Sequence, residues 1–379
     1  MGSDGTIVFA GGGTGGHLYP GISVAVALKS IWPEVRPLFL VTEREIDEVI
    51  LKPTGFEFTR QPIVPPVTSI SGLLAFWKSW RQTKDLVKGV LKDRNVVAVL
   101  GLGGYAAGVA VKLAAEKGIP AAVVNPDVIP GKANQYLMKY SLAVCCQFDQ
   151  TRAHVSAAYQ GRLKLTGCPI RPEMASLPAR VDAARRLGLN PDLLTLVITG
   201  ASLGAQTVNE AVLETLPKMK AEGKMEGWQV LHLAGRDHAQ TVKAAYIQNG
   251  IGATVVDFTP EMADVWAVAD LTICRSGASS CAELTACGLP SILMPYPYHK
   301  DMHQRANARV LEAGGAALIL DDEKEAQKNS AKLGPMLQPL LCDAVRRQQM
   351  ADAAKKLGKP DAAEQVARVI RGMATTKSP

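Results

Sequence analysis

His17 closes the stretch AGGGTGGH (residues 10–17), where a glycine-rich turn follows the apolar run TIVF and precedes the helix-like run ISVAVAL. A histidine there has two uses: its ring can take a proton from an attacking hydroxyl, or it can cap and pack against the helix start. Around it, Gly13, Thr14, Gly15 and Gly16 place bare backbone at a helix N-terminus, where N–H groups and the helix dipole favour phosphate. Gly11, Gly13 and Gly16 also satisfy GxGxxG, the dinucleotide fingerprint, and Glu43 beside Arg44 is the acid that could close it on a ribose. A second turn, GLGGYAAG from Gly101 to Gly108, repeats the strand-to-helix pattern and carries Gly103, Gly104 and Tyr105. Two such turns suit a diphosphate; the alternative is that their glycines only let a helix pack closely on a sheet.

Further along, TGASLGAQ (Thr199 to Gln206) offers the Ser202 hydroxyl to a phosphate. RSGASS then opens a helix bearing Ala278, Ser279, Ser280, Cys281, Ala282 and Glu283. Glu283 falls a little over one turn inside, where a carboxylate can chelate the two hydroxyls of a ribose or, alternatively, form a surface ion pair. His303 and Gln304 start the next helix and can either hydrogen-bond a sugar or stay solvated. The seven cysteines form no CxxC pair and have no histidine partners at zinc spacing.

Positioning these turns requires parallel sheets. TIVFA, PLFLV, VVAVL, AAVVN and LAVCC are apolar without polar alternation, as strands buried on both faces are. A break at LTGCPIRPEMASLP is followed by LLTLVITG, WQVLHLAG, ATVVDF, LTICRSG, PSILMPY and AALIL. The expectation is two doubly wound, Rossmann-like α/β domains, residues 1–167 and 168–359, with a C-terminal helix near 360–379 packing back on the first. Their ligands are expected in a central cleft, at the carboxyl ends of the strands.

Composition sets the outer bounds. An apolar fraction of 47% and a charged fraction of 20% suit a soluble globular chain, with neither a membrane span nor a secretory leader expected. The net charge of +7 tolerates an anionic ligand or surface, and with no aromatic RNA-binding motif or dense basic tract nucleic acid is not an expected partner. One stretch, Ser69 to Arg94, mixes Leu73, Leu74, Phe76, Trp77 and Trp80 with Lys78 and Arg81. Tryptophan interleaved with cations fits a helix dipping into an anionic membrane surface; a core helix with snorkelling lysines is the alternative.

Taken together, GGGTGGH…PG, GLGGY, GCPIR, GASLGA, RSGASSCAE and HQ…NA resemble, in order and spacing, the motifs of the MurG family. The resemblance spans roughly residues 5 to 320. It implies a GT-B fold and inverting transfer of N-acetylglucosamine from UDP-GlcNAc to a lipid-linked muramyl-pentapeptide, without metal or other cofactor. It also implies peripheral attachment at the cytoplasmic face of the plasma membrane, in peptidoglycan synthesis. Donor-binding positions of the family fall on Thr14, Gly15, Gly16, Asp127, Arg171, Ser202, Thr259, Ala278 through Glu283, and Gln304. Acceptor positions fall on Gly13, His17, Gly103, Gly104 and Tyr105, with His17 as the implied base. This chain departs from the family at Asp127, where an asparagine is usual, at Leu203, where a glutamine is usual, and at Ala107, where a serine is usual. Three other readings stay open: a related transferase with another lipid acceptor, a nucleotide-sugar-binding protein without turnover, and a nicotinamide oxidoreductase.

Overall fold

A computed structural model describes residues 5–67, 69–200, 204–298 and 301–376. The chain forms two compact units, Met1–Arg171 with Pro360–Pro379 and Pro172–Lys359. The first holds a parallel sheet of strands β1 (Thr6–Ala10), β2 (Arg36–Val41), β3 (Glu57–Arg60), β4 (Val96–Gly101), β5 (Ala121–Asn125), β6 (Ala143–Cys146) and β7 (Leu163–Leu165), in the order β3-β2-β1-β4-β5-β6-β7. Alternation along β1 explains its unbroken apolar run: Ile7 and Phe9 enter the core on one face, Val8 and Ala10 the core on the other. Phe9 stacks on Phe39 of β2 with ring centroids 4.8 Å apart. The C-terminal helix Ala362–Thr375 buries Val366, Ala367 and Ile370 in the first of these cores, against the helix Gly15–Ile31.

The helix Ile70–Asp93 carries two apolar stripes on different faces. Phe76, Trp80, Thr83 and Val87 recur at helical spacing on the inner side, where Phe76 and Trp80 are half-buried and Trp80 packs against Gly108. Ile70, Leu73, Leu74 and Trp77 recur on the other, and Ile70 is 82%, Leu74 67% and Trp77 58% exposed. The expected membrane set is therefore split by the helical period: Phe76 and Trp80 face the core, while Lys78 and Arg81 are exposed beside Trp77. Among the described residues no helix is long and apolar enough to cross a membrane.

The second unit holds β8 (Leu194–Thr199), β9 (Trp228–Leu233), β10 (Ala253–Val256), β11 (Leu271–Cys274), β12 (Ser291–Leu293) and β13 (Ala317–Ile319), parallel and ordered β10-β9-β8-β11-β12-β13. Its core gathers Leu196 and Ile198 of β8 with Val208, Val212 and Leu216 of one covering helix and Leu333, Leu337 and Leu340 of another. Inside it lies a fully buried histidine. Asn209 donates through Nδ2 to the Ala234 carbonyl at 2.9 Å, so its Oδ1 accepts from His232 Nε2 at 3.0 Å. His232 Nδ1 then accepts from the Tyr246 hydroxyl at 2.8 Å. Burial pushes the His232 pKa down to about 3.

The unfolded chain thus binds a proton at this histidine below its ordinary value near 6.5, and the native chain does not until about pH 3. Stability from this group is complete above the unfolded pKa and is lost as pH falls towards the folded one. Urea unfolding should show His232 costing the wild type about 2 kcal/mol between pH 7 and pH 5. The variant His232→Gln, weaker at pH 7, should lose less on acidification; an equal loss in both would contradict the buried neutral ring.

Candidate functional site

In the first unit the strand order reverses between β1 and β4, so the turns leaving their carboxyl ends are neighbours. These are the two glycine turns. The first runs from β1 into the helix Gly15–Ile31, whose N-cap Thr14 makes no side-chain cap. The first-turn N–H groups of a helix have no acceptor within it, so Gly15 and Gly16 present donors at its positive end.

A carboxylate unmarked in the sequence reading shapes this turn. Asp47 is fully buried and accepts the Gly13 N–H at 2.7 and 2.8 Å, the Thr42 N–H at 2.9 Å and the Thr42 hydroxyl at 2.6 Å. Its approach is so close that a Cβ on Gly12 would lie 2.4 Å from Oδ2. Gly13 therefore gives its N–H to the protein, and what it contributes to a ligand is shape. Its carbonyl accepts from Arg44 Nη1 at 3.1 Å, which brings a guanidinium to the same turn. Glu43 is exposed, and the acid that meets the glycines is Asp47, already saturated by protein donors. That geometry removes the ribose-binding acid a dinucleotide fingerprint needs.

His17 sits on this turn with its ring laid against the second one. Its Nδ1 lies 3.3 Å from the Gly12 carbonyl, which only accepts, so Nδ1 carries the proton; the Thr14 hydroxyl is 3.4 Å from the same nitrogen. Nε2 is left as the basic nitrogen, on the edge facing the second turn. A methyl built on Gly104 would lie 3.2 Å from the ring and one on Gly103 3.4 Å from Nε2, while φ of +72° and +104° suits these positions to glycine. Burial lowers the His17 pKa below 6.5, opposed by the Gly12 hydrogen bond and by the charges of Asp127 and Asp47. The ring is consequently neutral at pH 7.

Around this centre stand further groups. Tyr105 is half-buried, its pKa raised by burial and pulled back by the nearby Arg44. Asn134 binds the Val124 carbonyl and Asn125 Oδ1 through Nδ2, while its Oδ1 is buried without a hydrogen-bond partner among the described residues, near Gly103. Asn125 Nδ2 donates to the Asp127 carbonyl at 2.8 Å and holds that loop. Arg171 lies over the Tyr19 ring at 5.2 Å, and the Tyr19 ring borders Gly15, so a cation reaches the open end of the helix.

The second unit repeats the reversal between β8 and β11. Ser202, expected on the turn after β8, lies outside the described residues. The turn after β11 is held by Arg275, which donates to Asp322 at 2.8 Å, to the Met294 carbonyl at 3.0 Å and to the Thr207 hydroxyl at 2.7 Å. From that turn springs the helix Ala278–Cys287, with Ala278, Cys281 and Ala282 buried and the Ser279 and Ser280 side chains half-buried near its N-terminus. Glu283 is 8% exposed and accepts from Trp266 Nε1 at 2.8 Å. Gln304 Oε1 accepts the Tyr296 N–H at 3.0 Å, leaving the NH2 of its amide as the donor for a ligand. The Thr259 hydroxyl accepts the Glu261 N–H at 3.0 Å, and its own proton stays available to donate.

Comparison with known proteins covers both units. Residues 7–146 match the model of the glycosyltransferase family 28 N-terminal domain, and residues 195–366 that of its C-terminal domain. A relative from Desulforamulus reducens is 32% identical, over 96% of this chain and 97% of its own. One from Desulforudis audaxviator is 34% identical, over 97% and 98%. Both are named UDP-N-acetylglucosamine--N-acetylmuramyl-(pentapeptide) pyrophosphoryl-undecaprenol N-acetylglucosamine transferase. Among solved structures, MurG of Acinetobacter baumannii superposes with a TM-score of 0.72 at 24% identity, covering 97% of this chain and 99% of that one. The two parallel α/β units thus have the GT-B type of fold.

Asp47→Asn keeps size but turns an NH2 group towards donors. Chemical denaturation at pH 7 should show a loss of about 2 kcal/mol; stability equal to the parent's would show that the turn does not need this carboxylate.

Proposed function

Because this chain belongs to glycosyltransferase family 28, we propose that it moves N-acetylglucosamine from UDP-N-acetylglucosamine to the 4-hydroxyl of a lipid-linked N-acetylmuramyl-pentapeptide, inverting the anomeric carbon. The observation that carries the mechanism is the tautomer of His17: Nδ1–H is committed to the Gly12 carbonyl, and Nε2 faces the second glycine turn with its lone pair. In this reading Nε2 takes the proton of the acceptor hydroxyl as its oxygen attacks the anomeric carbon. The bond from that carbon to the UDP oxygen breaks, and UDP leaves with the electron pair.

Negative charge therefore grows on the departing diphosphate. In this reading the N-terminus of the helix Ala278–Cys287, with Ser279 and Ser280, supplies donors and a positive dipole end to it. Glu283 takes the ribose hydroxyls, and the Gln304 amide donates to the sugar. Thr14, Gly15 and Gly16 present N–H donors at the other helix start, and Tyr105 lines the acceptor side. Asp127, ionised, accepts from a sugar hydroxyl where an asparagine would also donate. The paired glycine turns favour an acceptor with a diphosphate over diacylglycerol, which has none.

A polyprenyl acceptor is delivered in a membrane. The stripe Ile70, Leu73, Leu74 and Trp77, with Lys78 and Arg81 beside it, suits an anionic bilayer surface, on the cytoplasmic side where UDP-sugars are held.

With radiolabelled UDP-GlcNAc and the lipid-linked acceptor, His17→Ala should lower kcat about 10²- to 10⁴-fold. No transfer by the parent would overturn the reading, and undiminished transfer by the variant would remove His17 as base. Since the neutral ring is the active form and its pKa is lowered, activity should fall on acidification with its half-point below pH 6.5. For the membrane face, Leu74→Ser with Trp77→Ser should weaken binding to anionic vesicles at least about tenfold and leave UDP affinity unchanged. Equal vesicle binding by variant and parent would contradict the assignment.

A further inference from the structure

Trp266 is 2% exposed, stands outside every motif of the sequence, and aims its indole N–H at Glu283 Oε2 over 2.8 Å. The short helix that carries it, Met262–Val268, is itself fixed. Arg186 grips Asp264 of that helix with two hydrogen bonds, Nε to Oδ2 at 2.7 Å and Nη2 to Oδ1 at 2.5 Å. The indole is thus held by its own burial and by an ion-paired neighbour two residues away. Glu283, on the helix Ala278–Cys287, is buried as well.

An indole N–H donates and never accepts, so it selects a carboxylate oxygen and fixes the rotation of the whole group. Each carboxylate oxygen has two lone-pair directions. Oε2 can accept the indole and a ribose hydroxyl together, and the bond from Trp266 favours the carboxylate planes in which Oε2 meets the indole N–H. Chelating a cis-diol demands that both oxygens lie in the plane of the two hydroxyls.

Resting on the proposed placement of the uridine ribose at Glu283, we infer that Trp266 is a positioning residue for the donor: it orients the Glu283 carboxylate and thereby sets the preference for a ribonucleotide over a deoxyribonucleotide. A residue needed only for core packing would weaken both kinds of nucleotide alike. A residue that aims the carboxylate acts on the hydroxyls alone.

The test compares UDP with 2′-deoxy-UDP by calorimetry on the full chain. The parent should prefer UDP about 10- to 100-fold, the range for a hydrogen bond to a charged group. Trp266→Phe and Glu283→Gln should each reduce the preference to about threefold or less, and the double variant should show no further loss. A Trp266→Phe protein that keeps the parental ratio overturns the inference while leaving Glu283 at the ribose. A parent without preference overturns the ribose placement itself. Should Trp266→Phe fail to fold, the indole N–H signals of the parent, one for each of five tryptophans, give the second readout. The signal displaced in Glu283→Gln should move with UDP and stay with 2′-deoxy-UDP; equal movement with both overturns the inference.

Discussion

Two parallel sheets each reverse their strand order once, between β1 and β4 and between β8 and β11, and His17, Tyr105 and the helix that bears Glu283 all leave the sheets at those points. Covering helices must leave the strands on opposite sides at such a point, so adjacent turns splay apart and leave their backbone open. Side chains there would fill the gap. Glycine keeps it empty, and at Gly103 and Gly104 it also supplies a backbone conformation that lets the turn lie along the His17 ring.

Open backbone alone would be a loose device, and two buried ionic groups stiffen it. Asp47 draws Gly13 and Thr42 onto one carboxylate, fixing the turn that presents His17. Arg275 does the corresponding task in the second unit, joining Thr207, Asp322 and the Met294 carbonyl. Each meets several partners at once, as a buried charge requires. The division of labour is then clear: buried charges hold the turns, and helix ends, half-buried hydroxyls and a neutral imidazole are left for the substrate.

Much of this was legible in the residues. Eleven strands announce themselves as apolar runs, the half-buried edge strands β10 and β13 among them, whereas the edge strands β3 (EFTR) and β7 (LKL) carry polar residues and no such run. The turns bearing Gly15, Gly16, Gly103 and Ala278 followed from strand, glycine and helix in succession. Asp47 could not be read, because an acid near the start of a helix is ordinary and the turn it holds, at Gly13, lies 34 residues away. Trp266 was hidden for the same reason, seventeen residues from Glu283. The stretch from Ser69 to Arg94 was read by composition, whereas helical phase decides which of its aromatics face outwards, and only Trp77 of the two tryptophans is largely exposed.

The account turns on the protonation of one ring. Nitrogen-15 NMR of the chain, with its six histidines labelled and His17 identified through His17→Ala, measures it directly. The proton of the neutral ring should reside on Nδ1, and the midpoint of its titration should lie below pH 6.5. A proton on Nε2, or a ring still charged at pH 7, would contradict the assignment of His17 as the base.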